Sequence, residues 1–283
     1  MSKEFRPHGN KLTTLESNVL KLRALEIVLV LYYMEDLKKS VIASFNVSKW
    51  IHSDASSDEK QKKGKKKKDT SNFNEARLRL LSEGIISEAE GEQISELVDF
   101  RNVIGHEIYK VTADVGPESH LCLYMEDAAC NTILYKYDVV SAARKLRKEV
   151  LDRMGRKGYA IVLPFAPIVF SAAEKAYIKE IKSLRKKIEK GAFEYNNKVE
   201  SLNSEIGSIP SDVMKFVAPG HPNNFLANGN LSRKGIDGIY MLFDNNLTPL
   251  AVSHLLRISY RAALRWYRRW CSGKSREAGN GTF

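Results

Sequence analysis

The chain has 283 residues and a mass of 32.0 kDa, enough for two domains and a connector, and its 43% apolar content excludes disorder throughout. Lys and Arg total 45 against 34 Asp and Glu, and the resulting net charge of +11 and pI near 9.4 favour a polyanionic partner, nucleic acid ahead of an anionic membrane surface. Cys122, Cys130 and Cys271 form no CxxC pair, and no apolar run approaches the roughly 20 residues that span a bilayer, so neither a disulfide framework, a cysteine metal site, secretion nor a membrane partner is expected, and a cytoplasmic setting is.

Apolar residues at Leu15, Val19, Leu22, Leu25 and Leu29 run into the solid stretch Ile27 to Met34, which predicts a long helix over 12–45. Its centre is apolar nearly all round, so it should belong to a helical bundle and form a homodimer interface. Residues 54–72 lose this pattern and carry seven lysines between Lys60 and Lys68. Such a block reads as a solvated, disordered loop whose Lys65, Lys66, Lys67 and Lys68 would still concentrate nucleic acid nearby.

Helical patterning resumes over 73–84 and over 87–111, the second opening with Ser87 and Glu90 in capping-box spacing. A further amphipathic helix covers 137–156, which closes a first domain over 1–156. Residues 159–170, with Pro164 and Pro167, read as an extended segment or docked loop. From Ile181 to Ile206 apolar residues recur at three- and four-residue gaps, which fits a coiled-coil seam and equally an amphipathic helix packed on the bundle. Residues 157–208 therefore read as a helical connector. Ile209 to Asn230, rich in Pro, Gly and Asn, reads as the boundary before a C-terminal module over 230–276, and the tail Ser272 to Phe283 as frayed.

The segment Asp99 to Tyr109 concentrates side chains suited to phosphodiester chemistry. Arg101 can hold a nonbridging phosphate oxygen by two parallel hydrogen bonds, and His106 belongs to the residue type that moves protons near neutral pH. Asn102 lies one turn before His106 on the same helix face, whereas Arg101, five residues before it, points about 140° away. Gly105 offers a place for a local distortion, and a second subunit could supply the missing proximity. The chain has neither a Walker-type phosphate loop nor a G-x-S-x-G elbow, which excludes the commonest ATPase and serine-hydrolase designs.

An all-helical run carrying Arg-x4-His, with polar Asn102 directly after the Arg, resembles the HEPN superfamily (higher eukaryote and prokaryote nucleotide-binding domain) over residues 12 to 156. The resemblance implies an all-α fold and a metal-independent endoribonuclease of the toxin or phage-defence kind, with no metal and no cofactor. It further implies that Arg101 and His106 are catalytic, that Asn102 assists, and that a homodimer forms a composite cleft for an RNA substrate. An antitoxin or trigger protein is a further expected partner. Family toxins often continue as His-x-Tyr; here Tyr109 stands at His-x-x-Tyr.

The C-terminal module has its own pattern. Ile236 to Phe243 reads as a helix, Asn245-Asn246 as a break, and Thr248-Pro249 as an N-cap with Pro at the first helical position. A short helix to Leu256, a turn Arg257-Ile258-Ser259 and a helix over 260–270 resemble helix-turn-helix DNA-binding domains, with Arg257 where that pattern expects Gly. Between Arg257 and Arg276 there are seven bases and no acids. Arg257, Arg261, Arg265, Arg268 and Arg269 are the candidate nucleic-acid contacts, for DNA or RNA, with Leu264 and Trp266 or Tyr267 packing inward; a solvated basic face has the same pattern. A non-enzymatic, dimeric DNA-binding regulator is the competing reading of the whole chain.

Overall fold

A computed structural model describes residues 5–54, 73–116, 135–162 and 165–279. Lys65, Lys66, Lys67, Lys68, Cys122 and Cys130 lie outside them. Among the described residues the regular elements are all helical, so the fold is all-α: α1 (Thr14–Asp54), α2 (Phe73–Ser82), α3 (Glu88–His106), α4 (Val139–Arg156), α5 (Ala166–Gly207), α6 (Ser211–Val217), α7 (Arg233–Asp244), α8 (Pro249–Leu256) and α9 (Tyr260–Gly279). The described residues divide into two compact units, one of 17–115 and 135–187, the other of 5–16, 116 and 188–279.

The first unit is built on α1. Leu29, Val30, Tyr33 and Met34 are buried there, and within the apolar run Val28 is the residue left 40% exposed. The chain's own bundle thus covers the surface that the sequence offered as a dimer interface. The helix continues to Asp54, beyond the expected end at 45, because three serines at four-residue spacing, Ser40, Ser44 and Ser48, extend its buried face. Ser44 Oγ accepts the Val162 amide at 3.0 Å and Ser48 Oγ the Ala160 amide at 3.1 Å. Four helical residues advance about 6.0 Å and two extended residues about 6.6 Å, so the hydroxyls keep step with alternate amides of the docked segment. The docked segment is shorter than the expected 159–170, since α5 already begins at Ala166 with Pro167 in its first turn, where a missing N–H is tolerated.

Charges also run through this core. Glu26 is fully buried and accepts hydrogen bonds from Tyr135 Oη at 2.9 Å and Arg185 at 2.7 Å, while buried Asp36 pairs with Arg147. Burial, followed by the Glu26 carboxylate, pushes the Tyr135 hydroxyl well above its ordinary range. Removing one partner of such a pair strands the other, at a cost of about 3–5 kcal/mol.

In the second unit α6, α7, α8 and α9 share a core of Val213, Val217, Ile239, Leu242, Phe243 and Leu256, among others. The expected boundary at 209–230 is folded into this unit. Its prolines and glycines shape turns around Asn224, which is buried and donates through Nδ2 to the Val217 and Ala218 carbonyls at 2.9 and 3.1 Å. The Asn224 carbonyl in turn lies so near Gly235 that a Cβ there would approach it to 2.3 Å, which explains a glycine in the first turn of α7. The seam of α5 faces no single partner helix: Ile181 and Leu184 are buried in the first unit, Leu202 and Ile206 pack into the second core, and Tyr195 between them is 56% exposed. The helical backbone of α9 also persists to Gly279, past the expected fraying point.

Candidate active site and nucleic-acid interface

Helix α3 starts where the sequence says it should. Ser87 accepts the Glu90 amide and the Glu90 carboxylate accepts the Ser87 amide at 2.8 Å, closing a capping box. Arg153 of α4 adds a 2.7 Å ion pair, and its guanidinium, with help from Ser87, holds the Glu90 carboxyl at about 2. From there Phe100, Val103 and Ile104 pack against Ile27 and Leu31 of α1. The helix ends at His106, earlier than Val111, with Glu107 as its cap and a separate 3-10 turn over Ile108–Val111.

Arg101 is half-buried because its guanidinium turns toward α1, donating to Glu35 Oε1 at 2.5 Å and to Asn102 Oδ1 at 3.2 Å. Asn102 and His106 are exposed one turn apart, and His106 has no hydrogen-bond partner among the described residues. Gly105 causes no distortion, so Arg101 and His106 keep the separation of about 140° that a regular helix imposes. No hydrogen bond joins them within the chain. Ile108 and Tyr109, just beyond His106, are 59% and 56% exposed.

The segment after His106 is pinned from below. Buried Arg23 of α1 donates to the Val111 carbonyl at 2.8 Å, to both Asp114 carboxylate oxygens at 2.5 and 2.9 Å, and to Tyr137 Oη at 3.0 Å. Burial opposes its charge, but the Asp114 and Tyr137 partners outweigh this and raise its pKa; the same pair lowers that of Asp114. Sequence reasoning missed both Arg23 and Glu35. Glu35 had a readable signal, since it continues the Ile27, Leu31 stripe that packs on α3, four residues further on.

The second basic element lies in the C-terminal unit. Thr248 Oγ1 caps α8 by accepting the Ala251 amide, Pro249 is its first residue, and α8 turns into α9 through Arg257, Ile258 and Ser259. Arg257 has φ of +53°, the left-handed conformation that glycine occupies most easily, so the turn keeps its geometry despite the substitution. Arg257, Arg261, Arg265, Arg268 and Arg269 are all exposed, and the Arg269 guanidinium lies 4.7 Å from the Trp266 ring centre. The inward face differs from expectation: Ala263 is the fully buried residue, Trp266, Tyr267 and Trp270 pack partly on the core, and Leu264 is half-buried outside it. At the start of α9 the Tyr260 amide donates to the Pro7 carbonyl at 3.0 Å, and the rings of His8 and Tyr260 lie 4.9 Å apart.

No group of three or more His, Cys, Asp or Glu side chains suited to a metal occurs among the described residues, and none of their helices is long and apolar enough to cross a membrane. Comparison with family models, with curated proteins and with solved structures finds no match for the chain.

Proposed function

We propose that the chain is a metal-independent endoribonuclease of HEPN type, a toxin or phage-defence effector that works as a homodimer. The observation that carries this reading is the end of α3: an exposed His106 with no hydrogen-bond partner among the described residues, an Asn102 one turn away on the same side, and an Arg101 whose guanidinium is fixed by Glu35. In the reaction the ribose 2′-oxygen attacks the adjacent phosphorus and the bond to the 5′-oxygen breaks, leaving a 2′,3′-cyclic phosphate. Arg101 neutralises charge on the phosphate, the proton of the attacking 2′-hydroxyl passes to solvent, and His106 gives a proton to the departing 5′-oxygen. Because the two side chains diverge on one helix, Arg101 of one copy meets His106 of another, and exposed Ile108 and Tyr109 beside His106 supply apolar contact for that pairing. Incubation of the purified chain with total RNA in EDTA tests the proposal. Cleavage to cyclic phosphate ends is expected, falling by roughly 10²-fold or more in His106→Ala and in Arg101→Ala. Strict dependence on a divalent ion, or undiminished cleavage by both variants, would sink it.

The exposed arginines of α9 and the three-residue turn before it favour a second reading, in which the chain is a non-enzymatic dimeric regulator that binds DNA through a helix-turn-helix. That reading requires tight duplex binding and no RNA cleavage. Under it, Arg265→Ala relaxes sequence preference and Arg269→Ala weakens all duplexes alike.

A further inference from the structure

A trough of about 670 Å³ lies in the first unit between α1, α4 and α5. Arg144, Lys145, Arg147 and Lys148 of α4 and Lys182 and Arg185 of α5 line it, against the carboxylates Glu26 and Glu174. A second recess, toward Asp152, Gly155 and Arg156, shares Arg147 and Lys148 with it, so three bases against one acid continue the lining along α4. We propose that this trough is a binding track for the phosphates of single-stranded RNA, separate from both the end of α3 and the basic face of α9.

The charge pattern is that of a preorganised anion site. Arg185 is held by buried Glu26 at 2.7 Å and by the Tyr137 carbonyl at 2.9 Å, and Arg144 by Glu174 at 3.4 Å, with Tyr33 Oη donating to the same Glu174 carboxylate at 2.6 Å. Each guanidinium has five N–H donors, so these anchors fix its position and leave donors free for a ligand. Asp36 compensates Arg147, and Glu149 stands 3.9 Å from Lys145. Lys148 and Lys182 are exposed and have no hydrogen bond or ion pair among the described residues, so the trough holds uncompensated positive charge.

Dimensions select the occupant. From Arg144 to Arg156 the helix advances about 18 Å, too long for one phosphate and long enough for several consecutive phosphates of one strand. A recess of about 670 Å³ admits the backbone of one strand, whereas a duplex, wider than its own grooves of about 6–12 Å, stays on its rims. A flat bilayer reaches only the rims of such a concavity. Val140, Ile178 and Ile181 line the trough without presenting an exposed aromatic, so binding follows backbone charge and not base identity. Only the choice of RNA over single-stranded DNA rests on the ribonuclease reading; the phosphate recognition does not.

Full-length His106→Ala protein in EDTA, mixed with a fluorescein-labelled single-stranded RNA of mixed sequence, gives the test by fluorescence anisotropy over a salt series. Adding Lys148→Gln and Lys182→Gln should weaken binding about tenfold at low salt and flatten the slope of log K against log salt by about 1.4, at 0.7 per lost contact. The arginine replacements Lys148→Arg and Lys182→Arg should retain both. Unchanged affinity and slope in the glutamine pair would overturn the proposal. So would a loss confined to Arg261→Gln with Arg265→Gln, or a glutamine pair that loses only binding to phosphatidylserine vesicles or polyglutamate. Cleavage by the wild type is scored separately, so the track and the ribonuclease reading fail independently.

Discussion

Glu90 serves two structures at once, since its carboxylate closes the capping box of α3 and also receives Arg153 from α4. Its folded pKa of about 2 lies below the ordinary 4.5, so the carboxylate contributes stability that is fully present above pH 4.5 and is lost as pH falls toward 2. Glu90→Gln should lower the unfolding free energy by about 1 kcal/mol at neutral pH, the scale of a lost cap, and thermal melts of the two proteins should converge near pH 2. The Ser87 and Glu90 spacing made this cap readable from sequence, because the interaction is local. Arg23 is not legible, because its partner Asp114 lies 91 residues away and nothing in the spacing reveals the pair, whereas Glu35, 66 residues from Arg101, is marked only by its place in the Ile27, Leu31 stripe. Arg257 is the opposite case. Its turn was placed correctly although a residue other than Gly in the left-handed region costs about 1–2 kcal/mol, because the buried residues on either side, Leu256 and Ile258, set the fold of the turn.

Among the elements, α1 shows where periodicity stops being informative. Its apolar half was legible, but the half beyond Phe45 is buried through Ser48, and a serine at a core position is indistinguishable from a surface serine until its partner is known. The partners are the Ala160 and Val162 amides. Ser44→Ala and Ser48→Ala should therefore each cost about 1–3 kcal/mol, since each leaves a half-buried N–H unpaired. Ser40→Ala should be close to neutral, because the Ser40 hydroxyl is buried without a hydrogen-bond partner among the described residues. Urea denaturation of the three variants checks the contrast, and equal losses at all three positions would mean that packing, not hydrogen bonding, sets the value of this face. The segment 209–230 was misread for a related reason: Pro, Gly and Asn mark turns, and turns build a connected core as readily as they separate two cores. Here buried Asn224 decides the outcome.

For the whole molecule, the all-α class and most helix positions followed from local patterns, whereas the division into units did not, since it falls within the continuous pattern of α5. Nor does the candidate site follow fully from one chain, because regular helix geometry keeps Arg101 and His106 apart. If two copies complete each other, mixing the inactive Arg101→Ala and His106→Ala proteins should restore part of the ribonuclease activity: a mixed dimer contains one intact Arg101 and His106 pair and one doubly deficient pair. Tyr109→Glu, placing a charge on the proposed contact, should abolish that rescue and shift light scattering toward the monomer. A wild-type chain that is monomeric yet active would rule out the shared site.

Helix α5 contributes Ile181 and Leu184 to one core and Leu202 and Ile206 to the other, while the side chains from Phe193 to Lys198 between them are exposed. Helical turns form cooperatively, and this middle stretch buries no apolar face that would hold it in place alone. Its resistance to amide hydrogen exchange is therefore borrowed from its flanks, and fraying can enter it from either direction. The exchange rate in the middle of α5 thus reports the weaker of the two cores, whichever that is under the conditions chosen, and a ligand that strengthens only the other leaves that rate unchanged.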